Sequence, residues 1–423
     1  MQPQPEIRKN ALTFVLISVL LDMMALGVIV PVLTPLIKSF THTNVSATEW
    51  IGIFSTIFAL MQFIFSPLLG VLSDRFGRRP IILLSNLGLG LDYIIMAIAP
   101  SVGWLLVGRV ISGVSSSNIS VVYAYITDVT PPEKRAAGFG MIGAAFGIGF
   151  VLGPTVGGLL SAHGDLRLPF WVSAGLSLLN FLYGYFVLPE SLPENLRNRF
   201  ELKRANPLAA LKLLRSHGEL FGISIAYFLA MVAHDALPTI WAIYGITRYH
   251  WDSRTIGLSV AMVGLCQIVV SAKFVGPAVK WLGDRYAMVA GYAFGAVAYI
   301  IWGTAPSSGY FYAGIPILAL WAIATPGLQA IAARHVTASE QGELQGALGS
   351  IRGIATIVGS SLFPITFYLF IGSLASLHVI GAAWYLGGLL LIGTCAIGWY
   401  ATRGEPELHA VLQTQPALEE VEF

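Results

Sequence analysis

The chain has 423 residues, 56% hydrophobic and only 11% charged, with a mean hydropathy of +0.73. Soluble domains carry about a quarter charged residues, so the composition excludes an ordinary soluble protein and points to a lipid bilayer. A net charge of +2 gives no basic footprint for nucleic acid. Cys266 and Cys395 sit in apolar runs, without the spacing of a disulfide framework or a zinc site.

The first ten residues are polar, and no small-residue cleavage site follows the first apolar run, so no removable signal peptide is expected. A crossing helix needs about 20 apolar residues. Twelve stretches meet that length, starting near residues 11, 50, 81, 103, 136, 169, 219, 254, 287, 310, 343 and 378. The pattern predicts an all-α membrane protein of twelve transmembrane helices, with both termini on one side. Short loops rich in Lys and Arg stay in the cytoplasm. With a cytoplasmic N-terminus, four of the 24 cations fall outside (Lys38, Arg167, Arg248, Arg254), three lie within spans (Arg109, Lys273, Arg352) and the other seventeen fall inside.

Asp22 lies in the first span, Gln62 in the second and Asp92, followed by Tyr93, in the third. Between the second and third spans runs Gly70-Val-Leu-Ser-Asp74-Arg75-Phe-Gly77-Arg78-Arg79-Pro80. Its arginines place it in the cytoplasm, its glycines allow a sharp turn, and Asp74 suits a neighbouring helix N-terminus. This is the form of a gate latch. Arg109 opens the fourth span, which also carries Asn118. The fifth contains Gly149, Gly153, Pro154, Gly157 and Gly158; glycines at four-residue spacing let helices approach closely, and proline favours a kink.

A loop from about Pro189 to Gly218, with Pro189, Pro193, Pro207 and six cations, divides the spans six and six. The predicted organisation is an N-terminal half over 1–188, a linker over 189–218, a C-terminal half over 219–402 and a tail over 403–423, the halves being pseudo-symmetric six-helix bundles. Two echoes support duplication. Gly70-x3-Asp74-x2-Gly77-Arg78-Arg79 is matched weakly by Gly276-x3-Lys280-x2-Gly283-Asp284-Arg285, 206 residues on, and Val129-Thr130-x-x-Glu133 recurs at Val336. Parallel repeats of this kind belong to one large class of transporters. The second motif has exchanged the acid–base order of the first, with Lys280 for Asp74 and Asp284 for Arg78, so the latch keeps that order on the N-terminal side only and the gate is expected to be asymmetric.

Ionisable residues inside a membrane cost about 2.5–3.5 kcal/mol each on insertion scales and are functional candidates by default. Asp22 and Asp92 are too short to reach an interface. A carboxylate facing a wet cavity can carry a proton, and a nearby Arg109 would couple to its charge. Asp235, beside His234 in the seventh span, is either a partner of that histidine or a mark of the helix end before Pro238. Lys273 and Arg352 are long enough to snorkel. Tyr93 and Trp241 are candidates for lining an amphiphilic pocket, although such aromatics more often pack.

These motifs together resemble the major facilitator superfamily, in its twelve-span drug:proton antiporter group, and most closely the tetracycline efflux proteins. The residues carrying the resemblance are Leu21-Asp22, Ala59-Leu-Met-Gln62, Ser73 to Pro80, Leu91-Asp92-Tyr93, Arg109 with Gly113, Gly149 to Gly158, and Glu340-Gln341-Gly-x-Leu344-Gln345-Gly346. The resemblance implies the major facilitator fold, an inner bacterial membrane, a likeness to monomers, and no enzymatic activity; HExxH, P-loop and GxSxG motifs are absent from the sequence. It implies proton-driven, alternating-access export of a drug-like small molecule, with no cofactor and magnesium only as part of a chelated substrate. Asp22, Asp92 and Arg109 would serve proton coupling and Gln62 coupling or substrate contact; apart from the resemblance, Asp235, the only acid in a span of the C-terminal half, is a candidate coupling carboxylate, and Asn118, Tyr93, Gln267 and Trp241 are candidates for substrate contact. Gly70, Asp74, Arg75, Gly77, Arg78, Arg79 and Asp128 would form the gating loop, Asp74 capping the eleventh helix and Arg78 pairing with Asp128. Gly149, Gly153, Pro154, Gly157 and Gly158 would form the antiporter helix. The chain departs from the resistance pattern at Gln267 and Gly295, where those proteins carry histidine and aspartate. An exporter of an endogenous metabolite or siderophore, a same-fold importer or symporter, and a membrane receptor remain as alternatives.

Overall fold

In a computed structural model, the described residues are 5–130, 135–197, 218–336 and 341–403, and they are almost entirely helical, with no strand among them. Most of the linker and nearly all of the tail lie outside the described residues. Twelve helical segments follow in order: α1 (Pro5–Thr41), α2 (Asn44–Phe76), α3 (Arg78–Ile98), α4 (Val102–Val129), α5 (Arg135–Leu160), α6 (Leu168–Val187), α7 (Gly218–His234 continued by Ala236–Tyr249), α8 (Ser253–Lys273), α9 (Val275–Thr304), α10 (Ser308–Arg334), α11 (Gln341–Ile371) and α12 (Ala382–Ala401). Eleven are long and apolar enough to cross a membrane, and α5 contains a shorter apolar stretch, Ala144–Leu160. Helices suit lipid because they satisfy their backbone polar groups internally.

Among the described residues, α4, α10 and α7 are interrupted by serine back-bonding or proline. In α4, a 3-10 turn at Ser116–Asn118 follows a serine cluster. Ser116 Oγ and Ser117 Oγ donate to the Ser112 and Gly113 carbonyls, each at 2.7 Å, and such back-bonding loosens a helix. In α10 the 3-10 turn at Leu320–Ile323 precedes Pro326, which has no N–H for the turn before it. In α7 the break falls at Asp235, where Pro238 clashes with the His234 carbonyl position.

The chain forms two compact units. Unit 1 comprises Met1–Ala209, Asp235–Leu265 and Gly353–Ala383; unit 2 comprises Ala210–His234, Cys266–Arg352 and Trp384–Phe423. Stretches of α7, α8 and α11 therefore pack within unit 1, although they lie beyond the linker in sequence. The seam of unit 1 is the glycine helix. A Cβ at Gly149 would lie 2.8 Å from the Leu20 carbonyl oxygen, one at Gly153 would lie 2.7 Å from Gly27 Cα, and one at Gly157 would overlap the Val28 carbonyl. Three glycines four residues apart thus bring α5 against the backbone of α1. Gly158 faces the other way: its Cβ would lie 2.9 Å from the Ser253 carbonyl oxygen and 3.3 Å from Gly257 Cα, at the start of α8. Pro154 is accommodated within a continuous α5, against Gly27. α2 meets α11 through Thr56 Oγ1 and Ser361 Oγ, 2.8 Å apart.

Unit 2 is centred on aromatic side chains. Trp302 stacks on Phe311 with centroids 4.9 Å apart, and Trp384 meets Trp302 edge-on at 4.9 Å. The Trp302 indole N–H donates to the Phe311 carbonyl (2.8 Å) and the Tyr299 hydroxyl to the Ala233 carbonyl (2.9 Å), so these polar tips are satisfied inside the core. Outside the spans, Asp252 caps α8 by accepting from the Thr255 N–H at 2.8 Å. That hydrogen bond to Thr255 holds its carboxyl below the usual carboxylate range.

The close approach of α5 to α1 predicts a contrast along one helix. Gly157→Val is expected to lower the melting temperature of the purified protein, with an overpacking cost of about 1–3 kcal/mol. Gly147→Val is expected to leave it unchanged, because a Cβ there meets nothing within 4 Å. Equal melting temperatures for the two variants would refute the packing assignment.

Candidate functional site

The charged centre of unit 1 is built by α3 and α4. Asp92 is 0% exposed, with Ser112 and Arg109 of α4 as its polar neighbours. It fits against α4 because residue 108 is glycine: a Cβ at Gly108 would lie 2.6 Å from Asp92 Oδ1 and 2.6 Å from Met96 Cγ. Arg109, the next residue, is buried, with its Nη2 3.5 Å from Met96 Sδ and its guanidinium carbon 5.4 Å from the Phe58 ring centroid. Thioether and ring face are soft partners for a cation, and neither has the strength of a carboxylate held in a bidentate pair. Around them lie further buried polar atoms with no described partner: both side-chain polar atoms of Asn86, Tyr93 Oη and Ser177 Oγ.

Asp22 stands on α1 in a different setting. Its Oδ1 accepts from Asn180 Nδ2 at 2.8 Å, and Asn180 in turn accepts from Ser18 Oγ at 2.8 Å and donates to the Ser18 carbonyl at 3.2 Å. Asn180 and Ser18 escape sequence reasoning because a single Asn or Ser in a span carries no charge signal. Gly108 escapes it for the same reason.

The other candidates are dispersed. Tyr93 is fully enclosed and Asn118 is buried on α4. Trp241 is buried, its N–H donating to Ser259 Oγ at 2.9 Å and its ring packed on Trp251, so the indole is occupied within the protein rather than presented to a cavity. Gln62 is half-buried and Gln267 lies exposed on α8. Asp235 sits at the α7 break, where its carbonyl accepts from Thr239 Oγ1 at 2.5 Å. Lys273 is the last residue of α8, as a snorkelling side chain would be, and Arg352 reaches Met231 Sδ at 3.5 Å. Gly295 is enclosed: a Cβ there would lie 2.9 Å from Trp321 Cε3 and 3.1 Å from Leu391 Cδ1. An aspartate at this position has no room, which gives the departure from the resistance pattern a packing reason.

The Gly70–Arg79 loop closes around Arg78. Gly77 has φ 102° and ψ 159°, a conformation open to glycine, and it turns the end of α2 directly into α3. Arg78 Nη1 donates to Ser73 Oγ at 2.6 Å and to Asp74 Oδ1 at 2.5 Å, and its Nε donates to Asp128 Oδ2 at 3.3 Å. The Arg78–Asp128 pairing expected from sequence is therefore present. The described partner of Asp74 is Arg78 itself, not the end of another helix; residues 337–340, which precede α11, lie outside the described residues. Arg79 Nη2 donates to the Tyr185 carbonyl at 2.6 Å, at the end of α6, while Arg75 is exposed, 5.3 Å from the Phe76 ring centroid. Glu190 was not anticipated: its carboxylate accepts from the Arg78 and Arg79 amides at 2.8 and 3.3 Å, capping α3. Ser191 Oγ donates to Asp128 Oδ2 at 2.9 Å and Tyr125 Oη to the Pro189 carbonyl at 3.0 Å. The first residues of the linker are thus part of the latch.

In unit 2, Gly283 interrupts α9 with φ 76° and ψ 162°. Asp284 Oδ2 accepts from Arg334 Nη1 at 2.6 Å, and Arg285 Nη2 donates to the Trp399 carbonyl at 3.1 Å, its guanidinium carbon 4.0 Å from the Trp399 ring centroid. The exchanged acid–base order read from the sequence is present here as an ion pair whose signs are the reverse of the Arg78–Asp128 pair.

A bundle of apolar helices with buried charge and interrupted spans defines a membrane-embedded transporter rather than an enzyme. The pattern of the Major Facilitator Superfamily matches residues 15–360, and the chain belongs to that family. It is 35% identical over 383 residues to the tetracycline resistance protein, class C, of Escherichia coli, covering 90% of this chain and 95% of that one. It is 34% identical to the class E protein of Escherichia coli, over 83% of this chain and 86% of that one. In fold it is similar to a bacterial homologue of the human lysosomal transporter Spinster in an inward-facing, unoccupied conformation, with a TM-score of 0.76 at 17% identity, covering 95% of this chain and 98% of the other. The chain is an integral membrane protein and a transporter of small molecules.

The fit of Asp92 against Gly108 predicts that Gly108→Ala displaces the carboxylate and lowers the transport rate about tenfold, the size of a small overpacking penalty. Gly103→Ala, on the same helix with only Ser101 Oγ at 3.8 Å, is expected to transport like the parent. Initial rates in membrane vesicles at matched protein levels test this; a parental rate for Gly108→Ala refutes it.

Proposed function

We propose that the protein is a proton-coupled antiporter that exports a drug-like amphiphile across the inner membrane of a bacterium, with both termini in the cytoplasm. The observation that carries this reading is Asp92, wholly buried against Gly108 beside Arg109. An ionised carboxylate in such a place needs a counter-charge, because unpaired burial of charge is costly. Arg109 is the nearest cation along α4. A proton on Asp92 removes the need for that cation, so protonation exchanges one arrangement of the α3–α4 contact for another. Asp22, held by Asn180, is the second carboxylate of the unit, and its hydrogen bond orients it on α1.

Coupling then follows from charge accounting. A proton arriving from outside neutralises a carboxylate and loosens its hold on Arg109 or on a cationic substrate. The substrate leaves outward, the helices change arrangement, and the proton departs on the cytoplasmic side as the next substrate is captured. No cofactor enters the cycle; the proton gradient supplies the energy. The printed names of the relatives, tetracycline resistance proteins, support a tetracycline-like amphiphile as substrate. The enclosed Gly295 argues against capture of a magnesium chelate through an acid at that position, so magnesium is expected to matter only as a companion of the substrate.

Reconstitution tests the reading. Proteoliposomes with an imposed pH gradient are expected to accumulate tetracycline or a related amphiphile, with accumulation persisting in the absence of magnesium. Asp92→Asn and Asp22→Asn are expected to abolish gradient-driven accumulation while retaining substrate binding. Parental accumulation by both variants would overturn the coupling assignment.

A further inference from the structure

At the end of the helices opposite the Arg78 latch, unit 1 contains a recess of about 320 Å³. The end of α1 contributes Pro35 and Lys38, the turn after α5 contributes Ser161, and the α7–α8 turn contributes Trp251, Ser253 and Arg254. That last turn is firmly built. His250 takes the left-handed conformation with φ 57°, the Trp251 amide donates to the Gly245 carbonyl at 3.2 Å, and a Cβ at Gly245 would overlap the Trp251 ring. Tyr249 and Trp241 hold the same ring, with centroids 5.6 and 6.4 Å away. The indole is thereby fixed as one wall of the recess. The charges within it are unbalanced. Neither Lys38 nor Arg254 has a carboxylate within ion-pair distance among the described residues. The one acid lining the recess, Asp252, is engaged by the Thr255 amide at 2.8 Å and by the Thr255 side chain, and Arg254 acts on it only at longer range. Ser253 is 9% exposed, and its hydroxyl has no described partner.

We propose that this recess binds an anionic amphiphile, with its phosphate or carboxylate head held by Lys38, Arg254 and Ser253 and its apolar body against Trp251 and Pro35. Two cations and a hydroxyl beside a fixed aromatic wall supply the few convergent polar groups and the apolar surface that a small-molecule site needs, and hydrogen bonds from cations to an anionic head are the strong ones. Lys38 stands on α1 and Arg254 on α8, and like charges facing one recess repel. A bound anion turns that repulsion into attraction and ties α1 to α8, beside the point where Gly158 of α5 already seats against the Ser253 carbonyl. The head-group chemistry is shared by a soluble amphiphile and an anionic phospholipid. The inference stands on the geometry of the recess and does not rest on proton coupling or on the identity of the exported substrate.

Calorimetric titration of octyl phosphate into the full-length protein in phosphatidylcholine nanodiscs, with empty nanodiscs as the blank, tests it without any transport assay. The parent is expected to bind octyl phosphate saturably and inorganic phosphate more weakly, because the free ion leaves the apolar wall bare. Lys38→Gln and Arg254→Gln are each expected to weaken octyl phosphate binding about fivefold, as suits partly exposed charges, while Lys38→Arg retains it. Phosphatidylglycerol in the nanodisc separates the two sources: competition with octyl phosphate supports a lipid head group as the occupant, and undiminished binding supports a soluble amphiphile. Absence of saturable binding by the parent overturns the proposal, as does an equal affinity in the parent and in the variant carrying both Lys38→Gln and Arg254→Gln.

Discussion

Arg78 holds together a cluster that would otherwise repel itself. Asp74, Asp128 and Glu190 converge at one end of unit 1, and three carboxylates at such range are mutually unfavourable. The guanidinium meets two of them with directed hydrogen bonds, and the backbone amides at the start of α3 meet the third. The end of α2, the start of α3, the end of α4 and the segment after α6 are thereby fastened through one residue. The single-residue reversal at Gly77 makes this possible, because a Cβ there would collide with the Glu190 carboxylate. Turn, cap and ion pair are one construction, and the linker is part of it.

The same economy governs the buried centre. Lipid offers no partners for polar groups, so α3 with Asp92 and α4 with Arg109 and a row of serines have to place them toward their neighbours. Gly108 removes a side chain so that Asp92 can lie against α4, and the serines of α4 turn back on their own carbonyls, loosening the helix into a 3-10 turn. The helix that presents the charge is therefore also the helix that can change its pitch.

Much of this was legible from residue patterns. Apolar length gave all twelve helices, and the four-residue glycine spacing gave the close contact of α5 with α1. The Arg78–Asp128 pair followed from resemblance. What escaped was uncharged or relational. Asn180, Ser18 and Gly108 act by hydrogen bonding or by absence of bulk, and neither property stands out in a hydrophobic run. Glu190 lies in a stretch whose prolines read as a linker. Trp241 read as a pocket residue because sequence shows an aromatic side chain without showing that Ser259 and Trp251 already occupy it. The exchanged order at Lys280 and Asp284 was legible, but its compensation at Arg334, fifty residues on, was not, because residue-by-residue comparison registers a change of sign at one position only.

That distinction separates what the repeat keeps from what it has abandoned. The joints recur by geometry, with different chemistry behind them: serine back-bonding interrupts α4, Pro326 interrupts α10, and charges of opposite sign fasten the turns at Gly77 and Gly283. The centre does not recur. At the 206-residue offset, Asp92 is answered by Ala298 and Arg109 by Ile315, both fully buried. Tyr93 is answered by Tyr299, equally enclosed, but Met96 by Trp302, and unit 2 fills that level with stacked aromatic rings in place of charge. A tightly packed aromatic core resists rearrangement, whereas buried polar groups without fixed partners favour it. At this level unit 1 therefore places a buried carboxylate and arginine, and unit 2 places stacked aromatic rings.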